Sequence, residues 1–261
     1  MSAETAAAAP SEEAATLLTA EDLAVGYGGA PVLTEVCFAA GPGERVAVLG
    51  PNGGGKTTLL RAILGELASA HGSLTVGGRC AVVPQTERSR LDFPVSALDV
   101  ALMGTVARLP WWRRPGRRER SAAAAALGRV GLADRARTTF GDLSAGQRQR
   151  VLVARALVQE APIVLLDEPF AGLDAASAEQ LEQLLAVLAG EGRLLLVATH
   201  DVEQARGWDR VLCLNGRQVA WGAPGPTLTR PVLEATYGAE LVDVDCPQHG
   251  HERAILPPHH H

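Results

Sequence analysis

Gly50, Pro51, Asn52, Gly53, Gly54, Gly55, Lys56 and Thr57 stand in one uninterrupted run. The apolar stretch Arg45 to Leu49 precedes it, and Leu59, Leu60, Ile63, Leu64 and Leu67 follow at helical spacing, so a helix is expected from Lys56 to Leu67. This is G-x-x-x-x-G-K-[ST] between a strand and a helix, the setting that gives the pattern its meaning. With ordinary residue frequencies the bare pattern arises by accident in on the order of one per cent of chains this long. Glycines let successive amides turn inward around phosphates, and the helix that begins there adds the positive end of its dipole. Lys56 supplies a compact ammonium and Thr57 a hydroxyl able to ligate magnesium. Lys56 is also the only lysine among 24 basic residues. A guanidinium is too broad and rigid for such a cradle, which gives a reason for a lysine in an otherwise arginine-only chain.

A second apolar run, Ile163 to Leu166, ends in Asp167, Glu168 and Pro169. Side chains alternate along a strand, so the two acids leave its end in different directions, one suited to a metal shell and the other to an attacking water. An unpaired buried carboxylate pair is costly, so a metal and a phosphate partner are implied. Ser144, Ala145, Gly146 and Gln147 open a predicted helix, Ser144 to Gln159, with Ser144 as its N-cap.

The rest of the chain organises around these motifs. Leu17 to Phe38 reads as antiparallel strands joined by glycine-rich turns, and Ser73 to Val76 with Cys80 to Val83 as a second strand pair ending at Pro84 and Gln85. From about 95 to 160 the composition turns to alanine, leucine and arginine with almost no strand signal, which predicts an inserted helical lobe. A helix from Ala175 to Leu188 and strands at Leu194 to Ala198 and Val211 to Leu214 follow; then come a proline- and glycine-rich connection and a helix near Pro231 to Tyr237. Alternating strands and helices predict an α/β fold with a mainly parallel sheet. Residues 1–16 are read as a disordered leader, 17–240 as one domain and 241–261 as a flexible tail.

A formal charge of −5 points away from nucleic acid. No run approaches the roughly 18 to 20 apolar residues that cross a bilayer, so the chain is expected to be soluble. Cys37, Cys80, Cys213 and Cys246 lie far apart, as reduced cytosolic thiols do, and the first three are read as core filler.

Taken in order, the phosphate loop, the Ser144–Gln147 helix start and the Asp167/Glu168 pair resemble the ATP-binding cassette family, whose signature is close to Leu-Ser-Gly-Gly-Gln; Ala145 departs from it at the third position. The likeness spans Leu18 to about Gly238 and implies a P-loop ATPase core with an antiparallel β subdomain and an inserted α-helical subdomain. It also implies ATP contacts at Tyr27, which resembles the aromatic that stacks on adenine, and at Gly50 through Thr58. Asp167, Thr57 and Gln85 take the Mg²⁺ positions, and Glu168, His200 and Gln85 the catalytic ones. Asp174 resembles the residue that communicates between two cassettes. Ser144, Ala145, Gly146 and Gln147 would face a second copy's phosphate loop, in a head-to-tail homodimer.

Asp92 to Val95, Asp99 to Gly104 and Asp167 to Gly172 resemble the branch that imports manganese, zinc or iron. That likeness implies an integral membrane permease, an extracytoplasmic metal-binding receptor and a peripheral place on the cytoplasmic face of the membrane. A coupling helix of the permease would dock in a groove formed by the residues after Gln85. A cassette for another small solute, or a cassette ATPase outside transport, is the alternative. Trp111 to Arg120 is read first as a solvated basic loop and second as a contact with the membrane partner or anionic headgroups. The histidines of the tail, His249, His251 and His259 to His261, are read as a solvated end or as metal buffering.

Overall fold

A computed structural model describes residues 16–85, 94–110, 112–238, 241–244 and 252–255. The first two strands, β1 (Leu18–Val25) and β2 (Leu33–Ala40), pair antiparallel. β3 (Arg45–Leu49) then runs through the phosphate loop into α1 (Lys56–Ile63). The helix stops short of the expected Leu67 because Gly65, at φ +76°, closes it: the Gly65 amide donates to the Ala62 carbonyl and the Glu66 amide to the Arg61 carbonyl.

The expected pairing of the next two strands is not found. β4 (Ser69–Val76) joins β1, completing a three-stranded sheet of order β2-β1-β4, while β5 (Cys80–Val83) lies in a different, six-stranded sheet. The reason is a division of core surface. Leu74 and Val76 of β4 pack on one apolar cluster, whereas β5 lies between that cluster, through Cys80 and Val82, and a second one, through Ala81 and Val83, so Gly77 to Arg79 carries the chain between layers instead of reversing it.

Segment 95–160 holds α2 (Ala97–Met103), a 3₁₀ turn (Gly104–Arg108), α3 (Arg117–Arg129) and α4 (Ala145–Val158), and no strand among its described residues. The basic stretch expected to be a loop as far as Arg120 straddles a boundary: its second half is the first turn of α3. The α/β alternation then resumes with β6 (Ile163–Asp167), α5 (Ala175–Gly190), β7 (Leu194–Thr199), the short α6 (Val202–Arg206) and β8 (Arg210–Leu214). β9 (Gln218–Gly222), α7 (Pro224–Thr227) and α8 (Arg230–Tyr237) follow. β9 occupies part of the expected connection, and Asn215 with Gly216 makes the hairpin turn into it.

The large sheet has the order β5-β6-β7-β3-β8-β9, parallel except for β9. β3, β6, β7 and β8 are buried on both faces, which is why they read as unbroken apolar runs. Val46, Val48, Leu165 and Leu196 point to the side covered by the antiparallel sheet and α1; Ala47, Leu49, Leu166 and Val197 point to the side covered by the helices. The side-chain period of two makes one strand serve both cores.

β10 (Leu241–Val244) pairs antiparallel with β11 (Glu252–Ile255), so part of the expected tail is a two-stranded ribbon. Cys246, the five tail histidines, Asp92, Trp111, residues 1–15 and the stretch directly after Gln85 lie outside the described residues. Of the other thiols, Cys213 is buried and Cys80 partly so, and burial pushes both up to about 11; Cys37 is exposed, contrary to its reading as core filler. No helix among the described residues is long and apolar enough to cross a membrane.

Candidate functional site

All the chemistry-bearing loops of the parallel sheet leave its carboxyl edge, where open α/β sheets place their ligands. β3 ends at Leu49 opposite Thr199 of β7, and Asp167 of β6 stands opposite Ala198. Val83 of β5 pairs with Leu166, so Gln85 emerges beside the carboxylate pair, where it is half-buried. Strand register thus collects residues that are far apart in sequence.

The phosphate loop is braced from behind. The Gly216 amide, in the β8–β9 turn, donates to the Gly54 carbonyl at 3.1 Å, and the Gly54 amide donates to Pro51 at 3.0 Å. α1 opens on Gly55 with no side-chain cap, so its first amides remain directed to an anion. Thr58 is buried in that first turn, and its hydroxyl lies 3.4 Å from the Tyr27 phenol. Tyr27 is 54% exposed, with the Arg61 guanidinium 5.9 Å from its ring centroid. A half-exposed ring fixed at the loop's flank offers a stacking face to a base.

Lys56 is buried, and its ammonium donates to the Gly50 carbonyl at 2.6 Å and the Pro51 carbonyl at 3.3 Å. Its nitrogen also stands 3.5 Å from Glu168 Oε1. The other Glu168 oxygen, Oε2, is 2.9 Å from His200 Nδ1. Glu168 therefore bridges the loop lysine and the histidine after β7. Its backbone is in the left-handed region at φ +47°, held there by its amide's bond to Ala198 O at 3.0 Å. A left-handed glutamate costs on the order of 1 kcal/mol or more, and such strain collects at functional sites. The hydrogen bond that Glu168 accepts from the imidazole raises the His200 pKa above its ordinary value, against partial burial and the Lys56 charge, which lower it. Thr57 Oγ1 donates to Asp167 Oδ2 at 3.4 Å, bringing two hard oxygen donors together beside the loop.

Ser144 caps α4 in a reciprocal pair: its hydroxyl accepts from the Gln147 amide at 3.2 Å, and the Gln147 side chain accepts from the Ser144 amide at 3.0 Å. Ala145 is half-buried at the first helical position, and Gly146 is buried against Ser177 of α5. Asp174 caps α5, accepting from the Ser177 amide at 2.8 Å and from its hydroxyl at 3.0 Å, and these bonds lower the Asp174 pKa. The structure thus brings the predicted site residues into two groups. Tyr27, the phosphate loop, Gln85, Asp167, Glu168 and His200 meet at the sheet edge, while Ser144 to Gln147 and Asp174 join through Ser177.

Sequence reasoning did not single out Ser177 or the Gly216 brace. Ser177 stands three residues after Asp174, the spacing of a helix cap, and Asn215 with Gly216 is a hairpin signal; both were readable. Their contacts with Gly146 and Gly54 were not.

Residues 33–171 match a family model described as ABC transporter. The chain is 42% identical over 230 residues to the zinc transport system ATP-binding protein TroB of Treponema pallidum, covering 85% of this chain and 86% of that one. It is 39% identical over 230 residues to the manganese transport system ATP-binding protein MntB of Bacillus subtilis, covering 85% and 92%. Among solved structures, a chain of an inward-facing transporter described as metal-chelate type superposes with a TM-score of 0.82 at 30% identity, covering 93% of this chain and 98% of that one.

Proposed function

The chain belongs to the ABC transporter family, and from that premise we propose that it is the ATP-hydrolysing subunit of a transporter that carries zinc or manganese across a membrane. Members of the family bind ATP and work with a membrane permease. The observation that carries the reading is the bridge Lys56–Glu168–His200 beside the phosphate loop, joined to a family match over residues 33–171 that takes in the phosphate loop, the Ser144 helix start and the Asp167/Glu168 pair. The metal cargo is argued from relatives that are named for zinc and manganese transport over most of their length.

In this reading residues 17–240 are one cassette with the helical lobe inserted. The loop amides and Lys56 bind the β- and γ-phosphates, and Tyr27 stacks on adenine. The donor set suits magnesium: a hydroxyl and a carboxylate 3.4 Å apart are hard ligands of the kind that hold this ion together with substrate phosphates. Thr57, Asp167 and Gln85 would hold it, and when bound it neutralises charge on the phosphates. Glu168 orients the attacking water and accepts its proton. Phosphate entering the loop competes with Glu168 for Lys56 and His200, so both side chains turn from the carboxylate to the charge that develops on the transferring group.

A second copy supplies Ser144 to Gln147 across a head-to-tail dimer. That reading is supported by the packing of Gly146 against Ser177 of α5, which ties the Ser144 helix start to α5 of its own chain. The extracytoplasmic metal receptor and the peripheral place on the cytoplasmic face follow from the same reading.

Replacing Glu168 with Gln is expected to leave ATP binding within a few-fold of the parent and to lower steady-state hydrolysis by about 10² to 10⁴-fold. Nucleotide titration and phosphate release measure the two quantities. Hydrolysis by the variant at the parent rate would remove Glu168 from the mechanism.

A further inference from the structure

We propose that Trp112 to Arg120, the loop and first helical turn at the rim of the helical lobe, form a docking surface for anionic lipid headgroups. The inference rests on the transporter reading, which brings the chain to a membrane. Its basis is a surface that local structure does not account for.

Arg113, Arg114, Arg117, Arg118 and Arg120 are all exposed, in a chain whose formal charge is −5. One acid, Glu119, lies among them, and it is already engaged. Its Oε2 accepts from the Gly116 amide at 2.7 Å to cap α3, and its Oε1 is 3.6 Å from Arg113. Among the described residues no ion pair engages Arg114, Arg117, Arg118 or Arg120. Arg117 and Arg118 also stand in the first turn of α3, where the helix dipole disfavours cations, and adjacent guanidinium groups repel one another. Folding thus places several positive charges where the chain itself offers them little in return. An anionic partner would.

The apolar neighbours narrow the partner. Of the large apolar side chains, Trp112 at 71% and Val106 at 63% are the most exposed among the described residues, and both precede the arginines in sequence, Trp112 directly. Tryptophan beside arginine is the combination that sits at a bilayer interface, the ring among headgroups and the cation on phosphate. The arginines are spread over a loop and a helical turn, a layout that suits a field of mobile phosphates better than one fixed carboxylate. Each cation close to an anionic surface strengthens binding several-fold, and the effect falls with salt.

The test uses the full chain in vesicle flotation, with phosphatidylcholine alone or mixed with phosphatidylglycerol. Binding is expected on the mixed vesicles only and should weaken steeply as salt rises. The variant R113Q/R114Q/R117Q/R118Q keeps Glu119 as the cap, and it should bind at least about tenfold more weakly with unchanged melting temperature and ATPase activity. Trp112→Ser, which keeps every charge, should lose part of the binding. Equal binding to both vesicle types, or full binding by the quadruple variant, overturns the proposal. So does capture only by vesicles that contain the permease, whatever their lipid charge, which would assign the surface to that protein. A parent chain without ATPase activity would count against the transporter reading instead, because flotation does not depend on hydrolysis.

Discussion

His200 and Glu168 are 2.9 Å apart, and that contact makes a pH-dependent contribution to stability. The imidazole holds its proton to a higher pH in the folded chain than its ordinary value of 6.5. A folded pKa above the unfolded one stabilises fully below the unfolded value and loses that contribution as pH rises through the folded value. The His200 side chain is 60% exposed, so water screens the pair and the effect is small. The melting temperature of the parent should exceed that of His200→Ala at about pH 6, and the gap should narrow by about pH 9. A gap that widens with pH would mean that the Glu168 contact does not hold the proton. The same residue shows how far sequence reaches. His200 was identifiable from the family resemblance, as one of the catalytic positions after the predicted strand Leu194 to Ala198, but its bond to Glu168 depends on β6 and β7 lying side by side.

At the scale of elements, α4 and α5 are locked by the absence of a side chain. A Cβ on Gly146 would overlap the Ser177 side chain, whose hydroxyl is committed to Asp174. Gly146→Ala should therefore cost about 1 to 3 kcal/mol by overpacking. Ser177→Gly in the same chain should recover part of that loss, giving a non-additive cycle measurable by urea denaturation. Additive losses would place the Gly146 defect elsewhere. The coupling has a functional side in the proposed dimer, since the residues that face the partner's nucleotide and the residue between the two cassettes then move as one body. The Ser144 cap was read from its own short pattern, whereas Asp174 was singled out only through the family resemblance and its cap on α5 was not. The packing between them belongs to the helix crossing, which no local pattern encodes.

In the proposed reading, the whole molecule is a sheet edge that binds phosphate and a helical lobe that carries the signature. If the two meet only between copies, nucleotide joins the chains. Glu168→Gln with ATP and magnesium is expected to have twice the monomer mass by light scattering, and the monomer mass with ADP. A monomer in both conditions would remove the head-to-tail reading. Much of this architecture was legible beforehand, because its signals are local: the strand, glycine loop and helix around Lys56, the acids ending an apolar strand, the serine cap, and the alternation that makes a parallel sheet. Those features follow from hydrogen bonding and side-chain periodicity over a few residues. The sequence did not tell which sheet β4 and β5 join, that β9 adds an antiparallel edge, that Gly216 braces Gly54, or that Lys56, Glu168 and His200 form one contacting row. Each of these depends on two cores competing for the same apolar surfaces and on the resulting strand order, and such a choice is made only when distant segments pack together.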